Sequence, residues 1–297
     1  MKLTRDQLIG LYPALPTPTD PSGTVERKAT ARLVEFLCSA GVTGLVPVGG
    51  TGEYAALLPE ERRAMVEVTV DAAAGRVPVV AGVLSPGFKD SVQAAKDFAA
   101  AGADGVMLVT PYYVTPTQEG IREYFQAFAQ EVPVPVMLYE IPYRTGVSLK
   151  AETIAQMVDD RSIIGMKACN ADFSQFARII GLVGEKIGVM SGEEPFFATH
   201  VAMGARGGVL ATANVFPKIW QEIFALASAG NLKGALARQQ SILPLLDAAF
   251  SETNPGPLKE AMAMVGLPVG HVLRPLQLPR PETMKKLEAA VRALQER

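Results

Sequence analysis

Eight short apolar runs that alternate with amphipathic helical stretches predict an α/β fold, a (β/α)8 TIM barrel followed by a C-terminal helical appendage. The length supports this class, because 297 residues accommodate a barrel of typically about 250 residues and a short extra segment. The segments AGVTGLVPV, AGADGVMLV and GARGGVLAT echo one another as helix–turn–strand units. We therefore predict a barrel over residues 1–228 and an appendage over residues 229–297.

The strand predictions rest on short apolar runs without polar alternation, which is typical of strands buried on both faces of a parallel sheet. These runs are Leu11–Leu15, Gly44–Val48, Val77–Gly82, Gly105–Val109, Pro135–Tyr139, Ile163–Lys167, Ile187–Ser191 and Gly208–Thr212. Because a helical stretch separates each run from the next, a closed barrel is expected rather than an open sheet.

Amphipathic stretches predict the helices between these strands. Pro59–Ala74 begins with proline at a first helical position, and Glu60 and Glu61 fall in the first turn, where the helix dipole favours negative charge. The other barrel helices are predicted at Glu26–Ala40, Lys89–Ala101, Glu119–Glu131, Ala151–Val158, Phe173–Val183, Glu194–Met203 and Pro217–Ser228. The appendage is predicted to hold helices at Leu232–Phe250, Pro257–Val265 and Glu282–Gln295.

The composition excludes several classes of protein. Hydrophobic residues make up 48% of the chain and charged residues 20%, which supports a large core rather than disorder. The net charge is −2 and the basic residues are scattered, so neither a nucleic-acid partner nor an anionic membrane surface is expected. No apolar run reaches the roughly 18 to 20 residues that span a bilayer, and the first residues lack the apolar stretch of a signal peptide. We expect a cytoplasmic protein.

Metal chemistry is not expected from the residues available. Cys38 and Cys169 lie far apart and show no CxxC spacing, and the chain has only two histidines, His200 and His271. These residues predict neither a disulfide framework nor a histidine- or thiolate-based metal centre.

Lys167 is the strongest chemical signal. Active sites of α/β barrels form at the C-terminal ends of the strands, and Lys167 ends the sixth predicted strand. A lysine inside the mouth of a barrel loses hydration, which favours the uncharged amine, and a free amine attacks a carbonyl to form an imine. The alternative is a lysine at a strand end whose amine reaches solvent.

Two further groups of candidates surround this lysine in the predicted barrel. Tyr139 ends the fifth strand, and its hydroxyl is suited to proton transfer, with Thr51 and Tyr113 as hydrogen-bonding partners. The alternative for each tyrosine is a packing role. Gly50 and Thr51 belong to the glycine-rich segment GGTGE, whose amides are suited to a carboxylate. The segment matches neither the dinucleotide fingerprint nor the P-loop, and its alternative is a tight turn before a helix.

The remaining candidates are substrate-binding residues. Arg144 lies between proline and glycine, and its planar guanidinium suits a second substrate carboxylate, with a surface ion pair as the alternative. Gly192 and Glu193 follow the seventh strand and are expected to line the floor of the site. Val209, on the eighth strand, either offers its backbone to a ligand or packs in the core.

Four motifs, in their order along the chain, resemble the dihydrodipicolinate synthase / N-acetylneuraminate lyase family. They are the G-x-T-G-E segment, the Tyr-Tyr pair after strand four, the tyrosine that ends strand five and the lysine that ends strand six. The resemblance extends from Gly10 to the C-terminal helices. It implies a lyase that forms a Schiff base between Lys167 and pyruvate or a related 2-oxo acid, with Tyr139 transferring protons and Thr51 binding the carboxylate. It also implies that Tyr113 reaches into a neighbouring subunit's site, that the assembly is a homotetramer built from two dimers, and that no cofactor is needed.

Within that family, Arg144 and the segment NPGPLK resemble the synthase branch, in which this arginine binds the carboxylate of aspartate semialdehyde. Three residues depart from the usual pattern: Gly50 replaces a threonine of the proton relay, Glu140 an asparagine and Ala168 a glutamate. These departures leave open an aldolase, dehydratase or deaminase that acts on another 2-oxo acid or a 2-oxo-3-deoxy sugar acid. A third alternative is a barrel that only senses a small oxo acid.

Overall fold

The computed structural model describes residues 2–296 and shows a curled sheet of seven parallel strands. The strands are β1 (Gly10–Pro13), β2 (Val80–Val83), β3 (Gly105–Val109), β4 (Val136–Glu140), β5 (Gly165–Ala168), β6 (Gly188–Ser191) and β7 (Gly207–Leu210). Their order is β1-β7-β6-β5-β4-β3-β2, so the first strand pairs with the last and the others follow the chain. This topology confirms the predicted α/β barrel.

The predicted second strand, Gly44–Val48, is an irregular segment that closes the ring between β1 and β2. Leu45 and Val46 form isolated parallel bridges, one to each side. The N–H of Val46 donates to a β1 carbonyl at 3.0 Å, and the carbonyl of Pro47 accepts from a β2 amide at 3.0 Å. A regular strand does not form here because Pro47 has no N–H and Val48 has a φ of +50°. The prediction of a regular strand at residues 44–48 was therefore wrong, and the sheet has seven regular strands instead of eight.

Helices cover the outside of the sheet at the predicted places. They are α1 (Arg27–Ser39), α2 (Pro59–Ala73), α3 (Phe88–Ala100), α4 (Gln118–Glu131), α5 (Pro142–Thr145), α6 (Ala151–Asp159), α7 (Phe173–Val183), α8 (Phe197–Met203), α9 (Pro217–Ser228), α10 (Leu232–Ala249), α11 (Gly256–Met264) and α12 (Pro281–Gln295). Two differences from the prediction matter: α5 was not expected, and the helix expected from Glu194 begins with a separate 3-10 turn at Glu194–Phe196. No helix in the described part of the chain is both long and apolar enough to cross a membrane.

Local chemistry explains several helix starts. Pro59 occupies the first turn of α2, as expected. Thr117 caps α4 by accepting from the amide of Gly120, and Asp172 caps α7 by accepting from the amides of Ser174 and Gln175. Because α4 follows β3 and α7 follows β5, the loops that lead into these helices lie at the carboxyl ends of the strands.

Two apolar layers hold the molecule together. The larger lies between strands and helices and includes the fully buried Trp220 and Phe125. The smaller fills the barrel interior, and Leu8 lies at its base. A Cβ built on Gly165 or Gly188 would come within 2.4 Å of the Leu8 side chain, so glycine is required at both positions. Leu8 therefore packs closely against β5 and β6 at the base of the barrel.

The C-terminal helices pack on the barrel, chiefly through α10 against α9 and α8, while α12 lies against α10 and α11. The division of the chain at residue 228 remains a prediction, although α9 does end at Ser228.

Candidate active site

A cavity of about 380 Å³ opens at the carboxyl ends of the strands. Most of the predicted site residues line it: Gly50, Thr51, Tyr139, Arg144, Lys167, Gly192 and Val209. The sequence analysis did not predict the other lining residues as part of the site, although it named Cys169 and the segment that begins with Asn254. These residues are Ile141, Tyr143, Cys169, Glu194, Ala211, Phe250, Ser251, Glu252, Thr253 and Asn254. The tertiary structure therefore brings the barrel candidates together and adds a wall from the appendage.

Lys167 lies inside this cavity, near the end of β5. Its residue is only 8% exposed, and its register pairs it with Tyr139 on β4. The amine nitrogen lies 4.6 Å from the centroid of the Tyr139 ring. The side chain therefore does not extend to bulk solvent, and its amine and the tyrosine share one wall of the cavity.

Tyr139 is buried, and its surroundings keep its hydroxyl protonated. Burial raises its pKa well above 10, and the neighbouring Cys169 raises it further, while Arg144 opposes the rise. The thiol of Cys169 is itself buried, and burial raises its pKa to about 12. Both groups therefore hold their protons at neutral pH, so Tyr139 can enter a reaction as a proton donor.

Gly192 leaves the space that the lysine occupies. A Cβ built at this position would lie 2.1 Å from the sulfur of Cys169 and 2.8 Å from the Cε of Lys167. Both separations are far below van der Waals contact, so any side chain here would displace the lysine or the thiol.

The GGTGE segment presents Thr51 to the cavity. Thr51 is buried, and its hydroxyl oxygen accepts a hydrogen bond from the Nδ2 of Asn254 at 2.9 Å. Since one lone pair is used in this way, the hydroxyl group can still donate a hydrogen bond to a ligand. Gly50, next to it, leaves open space beside Tyr139, because a Cβ there would stand 4.0 Å from the tyrosine oxygen.

A buried ion pair joins this segment to the appendage. The Nζ of Lys259 on α11 lies 2.7 Å from Oε1 of Glu53, and the two side chains are 1% and 2% exposed. The same amine donates to the carbonyls of Thr17 at 2.9 Å and His271 at 2.7 Å. Burial lowers the pKa of Lys259, and Glu53 opposes that shift. Both residues belong to segments that the sequence analysis named, Glu53 to GGTGE and Lys259 to NPGPLK, but nothing in the sequence indicated that the two residues pair.

The two glutamates after β6 have different environments. Glu194 lines the cavity, and its carboxylate accepts from the amide of Ala211 and from the amide and hydroxyl of Thr212. Burial raises its pKa, and these hydrogen bonds oppose the rise. It thereby holds the chain just after β7 in place. Glu193, which was expected to line the floor, is half-buried outside the cavity wall, and burial raises its pKa while Lys167 lowers it.

Arg144 lies at the rim of the cavity, whereas Tyr113 lies outside it. Arg144 is exposed on α5 and lines both the main cavity and an adjoining one of about 250 Å³. Tyr113 is 97% exposed and lies outside the cavity of its own chain. Its φ of +76° is unusual for a bulky residue.

Among residues 2–296, no cluster of three or more His, Cys, Asp or Glu side chains has the arrangement of a metal site. The side chains that line the cavity instead offer one amine, one guanidinium, carboxyl groups, phenols and small hydroxyls.

A buried lysine on one strand of a barrel, beside a protonated tyrosine on the next, defines a lyase of the class I aldolase type. Comparison with known proteins agrees: the sequence model of the dihydrodipicolinate synthetase family matches residues 7–294. The chain belongs to this family.

Curated relatives and solved structures of this family match most or nearly all of the chain. The 4-hydroxy-tetrahydrodipicolinate synthase of Syntrophus aciditrophicus is 38% identical over 86% of this chain and 88% of its own. The enzyme of the same name from Sorangium cellulosum is 37% identical over 98% of this chain and 97% of its own. The dihydrodipicolinate synthase of Acinetobacter baumannii, solved in complex with pyruvate, superposes with a TM-score of 0.93 at 31% identity, over 97% of this chain and 99% of that one.

Proposed function

We propose that this lyase condenses pyruvate with aspartate semialdehyde, the 4-hydroxy-tetrahydrodipicolinate synthase reaction, through a Schiff base on Lys167. The observation that carries the proposal is the buried amine of Lys167 beside the hydroxyl-bearing ring of Tyr139. The curated relatives carry the name of this reaction, and one solved relative is described as a pyruvate complex.

The chemistry follows from the position of each group. The amine of Lys167 adds to C2 of pyruvate, and loss of water gives an imine, with Tyr139 supplying a proton to the departing hydroxyl. Thr51 donates a hydrogen bond from its hydroxyl group to the pyruvate carboxylate. The Tyr139 phenolate takes up a C3 proton to give an enamine, whose C3 attacks the aldehyde carbon of the acceptor, and Tyr139 returns that proton to the resulting alkoxide. The acceptor's amino group then adds to C2 and displaces the amine of Lys167, which releases the product as a ring. Arg144, which lines the cavity, binds the acceptor's carboxylate through its guanidinium group.

A specific observation favours a second candidate function. Gly50 leaves space beside the Tyr139 oxygen, where a threonine hydroxyl is usual in the synthase branch. A hydroxyl group on the substrate would fit there and complete the proton relay. The second candidate is therefore a sister aldolase, dehydratase or deaminase that acts on a 2-oxo-3-deoxy sugar acid or another 2-oxo acid.

The proposed assembly is a homotetramer built from two dimers, located in the cytoplasm. The exposed ring of Tyr113, held by a left-handed backbone, supports it, because such a ring is suited to insertion into a neighbouring subunit. One solved relative, with a TM-score of 0.94 and 28% identity, is described as a monomeric variant. Light scattering of the purified protein, with Tyr113→Ala as a comparison, decides between tetramer and monomer.

Borohydride trapping tests the Schiff base. The protein is incubated with pyruvate and borohydride, digested, and searched for a reduced adduct by mass spectrometry. We expect an adduct on Lys167, its loss in Lys167→Ala, and its retention in the control Lys186→Ala, which removes a surface lysine paired with Asp159. No adduct on any lysine, with pyruvate or with longer 2-oxo acids, would refute the Schiff base.

Steady-state assays then separate the two candidate reactions. Consumption of pyruvate only when aspartate semialdehyde is present supports the synthase. Turnover of 2-oxo-3-deoxy acids, with no pyruvate consumption in the coupled assay, supports the second candidate instead.

A further inference from the structure

His200 is a buried imidazole that the proposed chemistry does not use. It lies on α8 and is 0% exposed, as is Ser191, which ends β6. The Nδ1 of His200 and the Oγ of Ser191 are 2.8 Å apart. Because Met190 belongs to the apolar cluster inside the barrel, the next side chain along the strand, Ser191, points outward to the helices. The pair therefore lies behind the cavity wall, and neither residue is among those that line the cavity.

The turn that follows Ser191 packs against the side chain of Lys167. A Cβ built at Gly192 would lie 2.8 Å from the Cε and 3.0 Å from the Cγ of Lys167, so the stem of the lysine packs directly on this glycine. The amide of Gly192 donates to the carbonyl of Ala168, the residue after the lysine on β5, at 2.8 Å. A shift of this turn would therefore move the amine.

The hydroxyl of Ser191 bonds to the backbone of this turn twice. Its Oγ accepts from the amide of Glu193 at 3.3 Å and donates to the carbonyl of Glu193 at 3.4 Å. A serine hydroxyl has one proton and two lone pairs, so a third partner of this oxygen must be a donor. The Nδ1 of His200 meets that requirement when it carries the imidazole proton.

The other ring nitrogen favours the same tautomer. In the described part of the chain, the Nε2 of His200 is buried without a hydrogen-bonding partner. The imidazole is stacked on Phe176 with ring centroids 3.9 Å apart, and the rings of Phe173 and Phe196 lie at 5.4 and 6.1 Å. An N–H at Nε2 would be an unpaired buried donor, which native proteins rarely contain, whereas an unpaired acceptor is tolerated more often. Burial lowers the pKa of His200 to about 4, so the ring is neutral at neutral pH.

We propose that His200 is a positioning residue: its Nδ1–H donates to Ser191, and the hydroxyl so oriented fixes the turn that packs on Lys167. The proposal rests on the Schiff base proposed for that lysine. Since Thr51 binds the pyruvate carboxylate from a different segment, loss of the Nδ1 hydrogen bond should slow imine formation without weakening the binding of pyruvate.

Nuclear magnetic resonance tests the hydrogen bond in the wild-type protein, without substrate or turnover. With ¹⁵N-labelled histidine, the ring nitrogens of His200 are assigned by comparison with His200→Phe, and the chain has only one other histidine, His271. We expect a proton on Nδ1 and none on Nε2, with no change between pH 6 and pH 8. A proton on Nε2 overturns the proposal.

The rate of trapping on Lys167 at saturating pyruvate, with borohydride in excess so that imine formation limits it, measures the effect on the amine. His200→Phe keeps an aromatic ring but removes the Nδ1 donor, and its trapping rate should fall about tenfold with an unchanged half-saturating pyruvate concentration. His200→Asn, whose amide N–H takes the place of Nδ1–H, should recover most of the rate. The control Phe224→Leu loosens packing against Phe197 on α8 and should lower Tm without changing the trapping rate.

Combining two substitutions shows whether His200 acts through Ser191. Ser191→Ala should slow trapping at least as much as His200→Phe, and the combination should be no slower than Ser191→Ala alone. Effects that multiply in the combination overturn the proposal, as does a trapping rate in His200→Phe within about twofold of the wild type. An equal loss in His200→Asn and His200→Phe overturns it too, because it indicates packing alone. Failure of trapping in the wild type refutes the Schiff base instead, whatever the tautomer of His200, so the two failures are distinguishable.

Discussion

Replacement of Lys259 by methionine tests how the appendage supports the site. The wild-type amine is 1% exposed and contacts Glu53 and two backbone carbonyls. Lys259→Met keeps most of the side-chain volume but leaves the Glu53 carboxylate buried without its counter-ion. Breaking such a pair costs about 3–5 kcal/mol, which for a chain of this size corresponds to a fall in Tm of roughly 5–8 °C.

Function should respond as well as stability. Glu53 ends the segment that presents Thr51, so loosening this segment should raise the KM for pyruvate more than it lowers kcat. Thermal denaturation monitored by circular dichroism and pyruvate kinetics on the folded fraction check both expectations. Lys186→Met, which breaks a surface pair with side chains 52% and 65% exposed, is the control and should change stability by at most about 1 kcal/mol.

A double variant shows how much of the loss of stability comes from the unpaired charge of Glu53. Glu53→Gln combined with Lys259→Met removes both charges, and we expect it to recover much of the loss, because a buried pair can be replaced by neutral groups at little net cost. A Tm for Lys259→Met within 2 °C of the wild type, or a double variant less stable than the single one, would contradict the reasoning.

Three further predictions follow from the site. Gly192→Ala should reduce pyruvate trapping more than about 100-fold with an unchanged circular dichroism spectrum, because its Cβ would lie 2.8 Å from the Cε of Lys167; trapping at the wild-type level would show that the lysine can move aside. Gly50→Ser fits without strain, since its Cβ would be 4.0 Å from the Tyr139 oxygen, and should raise synthase turnover several-fold in the coupled assay; a decrease would favour the second candidate function. Glu140→Gln should stabilise the protein increasingly as pH rises from 4.5 to 7, because the folded-state pKa of about 7 lies above the ordinary 4.5 and the wild type loses stability across that window. The upper limit is about 3 kcal/mol, and denaturant unfolding at pH 5 and pH 8 measures it, with equal differences at both values counting against a buried neutral acid.

The fold could be predicted from local patterns. Apolar runs without alternation identified the strands, and helices such as Phe173–Val183 and Pro217–Ser228 were predicted with the bounds that the structure has. The irregular segment at 44–48 was missed because a proline and a left-handed valine interrupt an otherwise strand-like run.

The site residues that the barrel strands contribute could also be predicted from the sequence. In a parallel barrel every strand ends at the same face, so a lysine and a tyrosine at the ends of successive strands must lie close together. Their placement in one cavity needed no knowledge of the packing between helices.

The wall that the appendage contributes was decided by the tertiary structure alone. Asn254 reaches Thr51 across 203 residues of sequence, and Lys259 reaches Glu53 in the same way. No local periodicity encodes such contacts, since they depend on how α10 and α11 pack on the barrel. The burial that raises the pKa of Glu140 also arises from that packing of whole elements, because desolvation is a property of the surrounding atoms and not of the residue type.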